Sequence, residues 1–411
     1  MAGSAAARET MAIRSYRLLF FSATFIVFGV MGQAVARGWL ARELTGSNAG
    51  LGGVMLAFGA SMLIATPFGG VAADRYPKRM MLVGAVLAIT ISSFAIGAAV
   101  ITDTIQYWML LAASAVQAAA FAFYLPARIS LISELVPSRL IQDAVVLAQM
   151  SAEGARVFAP ALAGLMISVT WFGSGGVFLT AGALGLVSAF INMQLPHVPP
   201  KPRPEQSPFL EVTDAIGYLR SNRPVGAIAV VTIGVVMVGF PYLTFLPTLA
   251  DERYDVGAGG YGLMSAFAGF GALVAGAVDS SRTRRARSEM VIVTSAAALG
   301  ASLLVLGLAS SFVAGLLALF AVGASGLMFQ TTTQSLMLRL SPIEFHGRLQ
   351  SLVILGFSGF GLAALPLGLL ADAISLGATL ALMGSVIALI TLWYFVVQRR
   401  HHATGERVEF G

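Results

Sequence analysis

Glu153 and Arg156 stand three residues apart in a segment that carries no other Asp, Glu, Lys or Arg from Ala144 to Val198. On a helix that spacing puts both side chains on one face, close enough to pair. Burial of the Glu153 carboxyl would raise its pKa and make it a proton carrier, while the neighbouring arginine would oppose that shift. Glu153 lies ten residues beyond Asp143, about 15 Å along a helix and near the middle of a bilayer. A carboxylate at that depth faces a cavity or a partner, because lipid exposure is costly. A structural ion pair between helices is the competing reading of the same residues.

The remaining chemistry is sparse. The chain has no cysteine, so disulfides and thiolate metal sites are excluded. Its four histidines, His197, His346, His401 and His402, fall in loops or the tail, which argues against a histidine relay in the bilayer and against a metal site. No Gly-x-x-x-x-Gly-Lys-Ser/Thr cradle for phosphates is present, so an ATP-driven pump is disfavoured. Glu153 has no second intramembrane carboxylate beside it in sequence, so a membrane-embedded enzyme is disfavoured too. No cofactor is implied.

These residues must be held by membrane helices. Of 411 residues, 57% are hydrophobic and 11% charged, with mean hydropathy +0.84, against about 25% charged in soluble domains. Leu51–Ala73 and Met80–Thr102 are each 23 uncharged residues, long enough to cross a hydrocarbon core of about 30 Å. Between them Gly69-Gly70-Val71-Ala72-Ala73-Asp74-Arg75-Tyr76-Pro77-Lys78-Arg79 makes a very short turn. Its three cations point to the cytoplasm, and its glycines permit close helix approach. Arg75, Lys78 and Arg79 have anchoring of topology as an equal reading. Asp74 adds nothing to topology and reads as part of a charge latch.

The same criteria divide the chain into twelve spans. The first six are roughly Tyr16–Trp39, the two above, Thr104–Ala127 (continuing past Arg128 into the cytoplasm), a span from Leu140, and one ending near Leu195. Thr45-Gly46-Ser47-Asn48, Glu134–Arg139 and Phe172–Gly176 are read as turns. Arg8, Arg14 and Arg17 before the apolar run Leu18–Ala36 mimic a signal peptide. At 19 residues that run exceeds a signal core of about 7 to 15, so it is read as the uncleaved first helix. The segment 196–208 is a stiff polar linker. Phe209, Val212, Ile216 and Leu219 then follow at near-helical spacing, a short amphipathic helix on the inner membrane surface.

The second half is read as Pro224–Leu249, Gly257–Val278, Met290–Ala309, Phe312–Leu338, Leu349–Ala371 and Ala373–Val397, with a weak break at Ser310-Ser311. Arg282, Arg284, Arg285 and Arg287 fill the turn after the eighth span. The domains are thus a six-helix bundle at 1–195, a linker at 196–223, a second bundle at 224–398 and a tail at 399–411. Of 25 Lys and Arg, 21 fall in the expected cytoplasmic turns, termini and linker; Arg37, Arg42, Arg156 and Arg253 do not. This distribution explains the net charge of +6 better than a nucleic-acid patch does. It predicts both termini cytoplasmic, and the expected location is a bacterial inner (cytoplasmic) membrane. Asp74 registers with Asp279, and Pro137 with Pro342, at one common offset, as parallel repeats require.

Gly70, Asp74, Arg75, Lys78 and Arg79 resemble the signature loop of the major facilitator superfamily, with Pro77 where the family has a second glycine and the basic pair one place closer. Leu44–Ser47, Leu125–Arg128 before Leu135–Pro137, a helix closed by Pro160–Gly164, and Pro342, Glu344 and Gly347-Arg348 are similar to the branch holding macrolide-efflux proteins and the enterobactin exporter. That resemblance, from about Tyr16 to Val397, implies an all-α integral membrane fold of two six-helix pseudo-symmetric bundles. It implies a monomer that exports a small amphipathic compound by alternating access in exchange for protons. Asp74 would hold the signature loop against the other bundle, Arg75, Lys78 or Arg79 would pair with Glu134 or Asp143, and Asp279 and Arg348 would belong to the equivalent, weaker latch. Spans one, four, seven and ten would line the cavity, which makes Gln33, Arg37, Gln117, Tyr124, Tyr242, Gln330 and Gln334 its candidate lining. Amides and phenols in apolar walls suit a weakly charged amphiphile; interhelical hydrogen bonding is the competing role for each, and Thr331–Thr333 can bond back to their own helix. A carboxylate or sugar-phosphate substrate would call for cavity arginines, for which Arg156 and Arg37 are the available residues. Nutrient import, lysophospholipid flipping and a non-transporting sensor are the alternatives.

Overall fold

A computed structural model describes residues 2–198, 217–281, 288–342 and 346–403, without the side chains of 2–5, 74, 279–281, 288, 346–348, 350–358 and 400–403. The latch side chains Asp74, Asp279 and Arg348, the Arg282–Arg287 turn, and most of the expected amphipathic helix therefore lie outside the described residues. The described residues are nearly all helical. A short α1 (Ala2–Ala12) precedes α2 (Arg14–Thr45), α3 (Asn48–Arg75), α4 (Lys78–Ile101), α5 (Tyr107–Leu135), α6 (Ile141–Ser168) and α7 (Gly173–Met193). The second half holds α8 (Arg223–Gly239), α9 (Gly257–Ser281), α10 (Ser288–Leu308), α11 (Phe312–Arg339), α12 (His346–Ala373) and α13 (Leu376–Ala403). Among the described residues ten helices are long and apolar enough to cross a membrane. Among the described residues α6, which carries Asp143, Glu153 and Arg156, is not one of them, and α12 is apolar over Gly359–Ala373. The chain is a multi-pass membrane protein. Helices suit that solvent because each satisfies its own backbone polar groups.

Turn chemistry sets the short connections. Gly46 ends α2 at φ 62° and its N–H donates to the Arg42 carbonyl, a left-handed cap that glycine adopts without a Cβ clash. Ser47 then caps α3 by accepting from the Gly50 N–H, and Ser311 caps α11 in the same way, which fixes the break at Ser310-Ser311. α5 runs past Arg128 to Leu135, as its sequence predicts. Two expectations shift. Gly173 to Gly176 belong to α7, leaving Val169–Phe172 as the turn. Pro160 does not close its helix: α6 continues through it to Ser168, because neighbouring helices and local adjustment accommodate the missing N–H.

The seventh span differs most from its expectation as one helix over Pro224–Leu249. After Gly239 it tightens to a 3-10 segment over Phe240–Phe245, returns to α for Leu246–Thr248 and widens to a π turn over Leu249–Arg253. Pro241 and Pro247 supply the cause: each lacks an N–H and crowds the preceding turn.

The chain forms two compact units, 1–208 with 246–266, and 209–245 with 267–411. The end of the seventh span, from Leu246, and the first turns of α9 thus pack with the first six spans, whereas the sequence assigns them to the second bundle. Within the first unit α2 packs on α6 and α7, α3 on α5, and α4 on α5 and α7. Within the second, α8 packs on α12 and α13, and α10 on α11 and α13. First with fifth and third with sixth spans therefore recur in both halves. Second with fourth recurs as well, through glycine. A Cβ on Gly69 (α3) would collide with the Ala122 carbonyl (α5), and one on Gly323 (α11) with the Ala268 carbonyl (α9). Gly69, not Gly70, is the close-approach residue of the signature loop, since a Cβ on Gly70 would meet open space.

Polar bonds brace the first unit. The Tyr16 hydroxyl donates to the Ala144 carbonyl at 2.7 Å, joining α2 to α6. The Ser22 hydroxyl donates to Asn192 Oδ1 at 2.7 Å, joining α2 to α7. Outside the spans, Arg139 Nη1 donates to Glu9 Oε2 at 2.8 Å. That hydrogen bond and the cation's charge lower the Glu9 pKa and raise that of Arg139.

Candidate functional site

Helix direction fixes depth. The turn between α3 and α4 marks the basic end, and Gly46 the opposite one. At the basic end Lys78, the first residue of α4, is buried and its Nζ donates to Glu134 Oε1 at 2.8 Å. The last turn of α5 delivers Glu134, so the extension past Arg128 is what makes the pair. Arg79 Nη1 donates to the Leu195 carbonyl at 3.1 Å, Arg75 is exposed, and Asp143 is half-buried in the first turn of α6. Of the candidate partners for Glu134, the structure brings in Lys78.

Halfway along α6, Arg156 Nη1 approaches Glu153 Oε1 at 3.6 Å, with side-chain exposures of 53% and 16%. The pair is loose, being longer than a charge-assisted hydrogen bond. An arginine so exposed at mid-helix needs water or a polar surface beside it.

The cavity candidates separate into groups. Gln33 is buried and accepts from the Ser93 hydroxyl of α4 at 3.0 Å, an interhelical bond. One turn further on α2, Arg37 Nη1 donates to Gln117 Oε1 of α5 at 2.6 Å. Arg37 is 4% exposed and Gln117 3%, and Arg37 Nε, Gln117 Nε2, Ser114 Oγ and the Tyr124 hydroxyl are buried without a partner. Tyr242 sits buried in the 3-10 segment after α8. Gln330 and Gln334 are half-buried on α11. Thr331 and Thr333 bond back to the carbonyls of Leu327 and Phe329, each at 2.9 Å.

One cluster escaped the sequence reading. At the Gly46 end Arg42 is nearly buried; its Nη1 donates to the Gly46 carbonyl at 2.7 Å, its Nε lies 3.5 Å from Asp251 Oδ2, and its Nη2 pairs with Glu252 Oε1. Trp39 Nε1 donates to Glu43 Oε1 at 2.6 Å beside it. The π turn aims Asp251 and Glu252 at α2. The signal in sequence was that Arg42 lay away from the other cations. Nearby, a Cβ on Gly164 of α6 would come within 2.6 Å of the Gly262 Cα of α9. A cavity of ≈ 450 Å³ opens at this end, lined by Trp39, Glu43, Ile167, Ser168, Val256 and Gly259. It is distant from the depth of Glu153. Among the described residues no group of His, Asp and Glu is placed to hold a metal.

Comparison with known proteins agrees with the helix plan. The chain is 24% identical over 371 residues to the Bacillus subtilis (strain 168) protein named "Uncharacterized MFS-type transporter YfiS", covering 81% of this chain and 82% of that one. It is 28% identical over 162 residues to the Staphylococcus aureus "Quinolone resistance protein NorA", covering 38% of each. A bacterial homolog of the human lysosomal transporter Spinster, solved in an inward-facing and unoccupied conformation, superposes with TM-score 0.76 at 14% identity, covering 94% of this chain and 96% of that one. A POT family transporter bound to 5-aminolevulinic acid gives TM-score 0.75 at 14% identity over the same shares. At such identities the solved structures establish the fold alone. The family model of the Major Facilitator Superfamily matches residues 19–366, and on that match and this fold the chain belongs to the major facilitator superfamily of membrane transporters.

Proposed function

We propose that the protein exports a small amphipathic compound by alternating access, driven by proton entry. The observation that carries this reading is Glu153: a carboxyl mid-way along the 28-residue helix α6, held by a 3.6 Å contact to a half-exposed arginine. A carboxylate so loosely paired can exchange its counter-charge for a proton, which a tightly bonded one cannot do without a large penalty. The partial likeness to a quinolone resistance protein supports the outward direction.

In this reading Lys78–Glu134, with Asp74, Arg75, Arg79 and Asp143, forms the latch at the cytoplasmic face, and Asp279 and Arg348 form its counterpart. The segregation of cations at one set of helix ends supports a cytoplasmic-membrane location with both termini inside. A single chain carries both repeats and acts as a monomer.

The test is uptake into inverted vesicles of a lipophilic fluorescent cation, a macrolide and a quinolone, with and without an imposed proton gradient. Wild type is expected to take up at least one of them in a gradient-dependent way. Glu153→Gln is expected to lose the gradient dependence while keeping its expression and elution profile. Equal uptake by the variant would make the Glu153–Arg156 pair structural. Uptake into right-side-out vesicles only would reverse the direction.

A further inference from the structure

Arg37 is a deeply buried cation for which the described residues of its unit supply no counter-charge. The register of the helices shows this. The hydroxyls of Thr24 on α2 and Ser151 on α6 meet at 2.6 Å, and the two helices run in the same direction from that level. Arg37 is thirteen residues further on and Glu153 two, so about 16 Å separates them along the helices. Asp251 and Glu252 are engaged by Arg42, five residues past Arg37 and about 7 Å further out.

The hydrogen bonding is unfinished in a specific sense. Arg37 Nη1 occupies Gln117 Oε1, which orients the amide and leaves its nitrogen as a donor. Arg37 Nε and Gln117 Nε2 are then two adjacent buried N–H groups without an acceptor. Ser114 Oγ, one turn away on the same face of α5, is also without a partner. A buried charge and buried donors both demand compensation. One group answers both demands, a carboxylate: it carries the opposite charge and offers two acceptor oxygens to an arginine fork.

We infer that Arg37 and Gln117 anchor the carboxylate of the transported molecule, which is therefore an anionic amphiphile. This rests on the transport function proposed above and names its substrate class. The body of the molecule lies along α5 over Phe121, whose ring meets Tyr124 edge-on at 5.9 Å. The unpartnered Tyr124 hydroxyl, seven residues from Gln117 and about 10 Å along the helix, offers a second polar contact at the far end. Access is controlled by the segment 246–266. A Cβ on Gly38, the residue after Arg37, would lie 2.9 Å from the Tyr261 hydroxyl and 3.3 Å from Pro247, so those side chains close over α2 at this level.

The experiment is calorimetric titration of the purified full-length protein in detergent at neutral pH with 4-phenylbutyrate, its neutral amide 4-phenylbutanamide, and sodium chloride. Wild type is expected to bind the acid at least about tenfold more tightly than the amide, as a charge-assisted bond to arginine requires. Arg37→Gln is expected to bind the two equally. Gln117→Met, which keeps the charge and removes one donor, is expected to reduce the preference several-fold with the elution profile unchanged. Equal binding of acid and amide by wild type, no binding of either, or a preference that survives Arg37→Gln overturns the inference. Chloride binding as tightly as 4-phenylbutyrate also overturns it, leaving a small-anion site. Because binding is read without a gradient, loss of gradient-driven uptake would count against the transport reading and not against this site.

Discussion

At the residue scale, two ion pairs of the first unit differ in how tightly they are held, at 2.8 Å for Lys78–Glu134 and 3.6 Å for Glu153–Arg156. Lys78–Glu134 is buried on both sides, with side-chain exposures of 4% and 12%, and Glu134 Oε2 has no further partner. Removing one member leaves a charge stranded at the end of α4 or α5. Lys78→Met alone is expected to destabilise by about 3–5 kcal/mol, while Lys78→Met with Glu134→Leu is expected to be near neutral. Thermal unfolding in detergent measures both, and a double variant as unstable as the single one would show the pair to be a net stabiliser. Glu153–Arg156 is the opposite case, and its loss is expected to alter coupling rather than folding. The Lys78 partner was only partly legible in sequence: the family resemblance named Glu134 and Asp143 as candidates, but the choice depends on how α5 rotates as it extends past Arg128.

At the element scale, small residues decide where helices touch. Gly164 and Gly262 bring α6 and the first turns of α9 into backbone contact, so a methyl added at either must displace main chain. Gly164→Ala is expected to cost about 1–3 kcal/mol, the range for overpacking, whereas Gly154→Ala on the same helix, where a Cβ meets open space, is expected to be neutral or slightly stabilising. Paired melting curves check the contrast. Both glycines are equally visible in the sequence, yet nothing local distinguishes them. The break in the seventh span was similarly half visible. Pro241 and Pro247 marked weak points, but prolines 67, 126, 160 and 366 sit inside continuous helices, so proline alone does not say which helix yields.

At the scale of the whole molecule, residues 246–266 pack with the first six spans while the rest of the second half forms its own unit. Under the proposed alternating access, such a contact is expected to be made and broken within the cycle. The absence of cysteine makes this directly testable, because introduced thiols have no competitors. A chain carrying Arg42→Cys and Glu252→Cys is expected to cross-link with a bis-methanethiosulfonate spacer, which bridges the length of the two replaced side chains through reducible disulfides. Transport is expected to stop when it does and to return on reduction, read as vesicle uptake. Unchanged uptake by the cross-linked protein would mean that this segment stays on α2 throughout.

The sequence by itself determined the apolar helices and most of their short turns, because both depend on local quantities: apolar length against bilayer thickness, and caps. Tertiary structure alone decided which polar groups meet. Arg42 finds Asp251 and Glu252 across 209 and 210 positions, and Arg37 finds Gln117 across 80. Such pairings follow from helix rotation and register, which are set by packing of small residues and have no local signature. The unpaired donors on Arg37 and Gln117 belong to the same class of fact, since a donor is known to lack a partner only once its neighbours are in place.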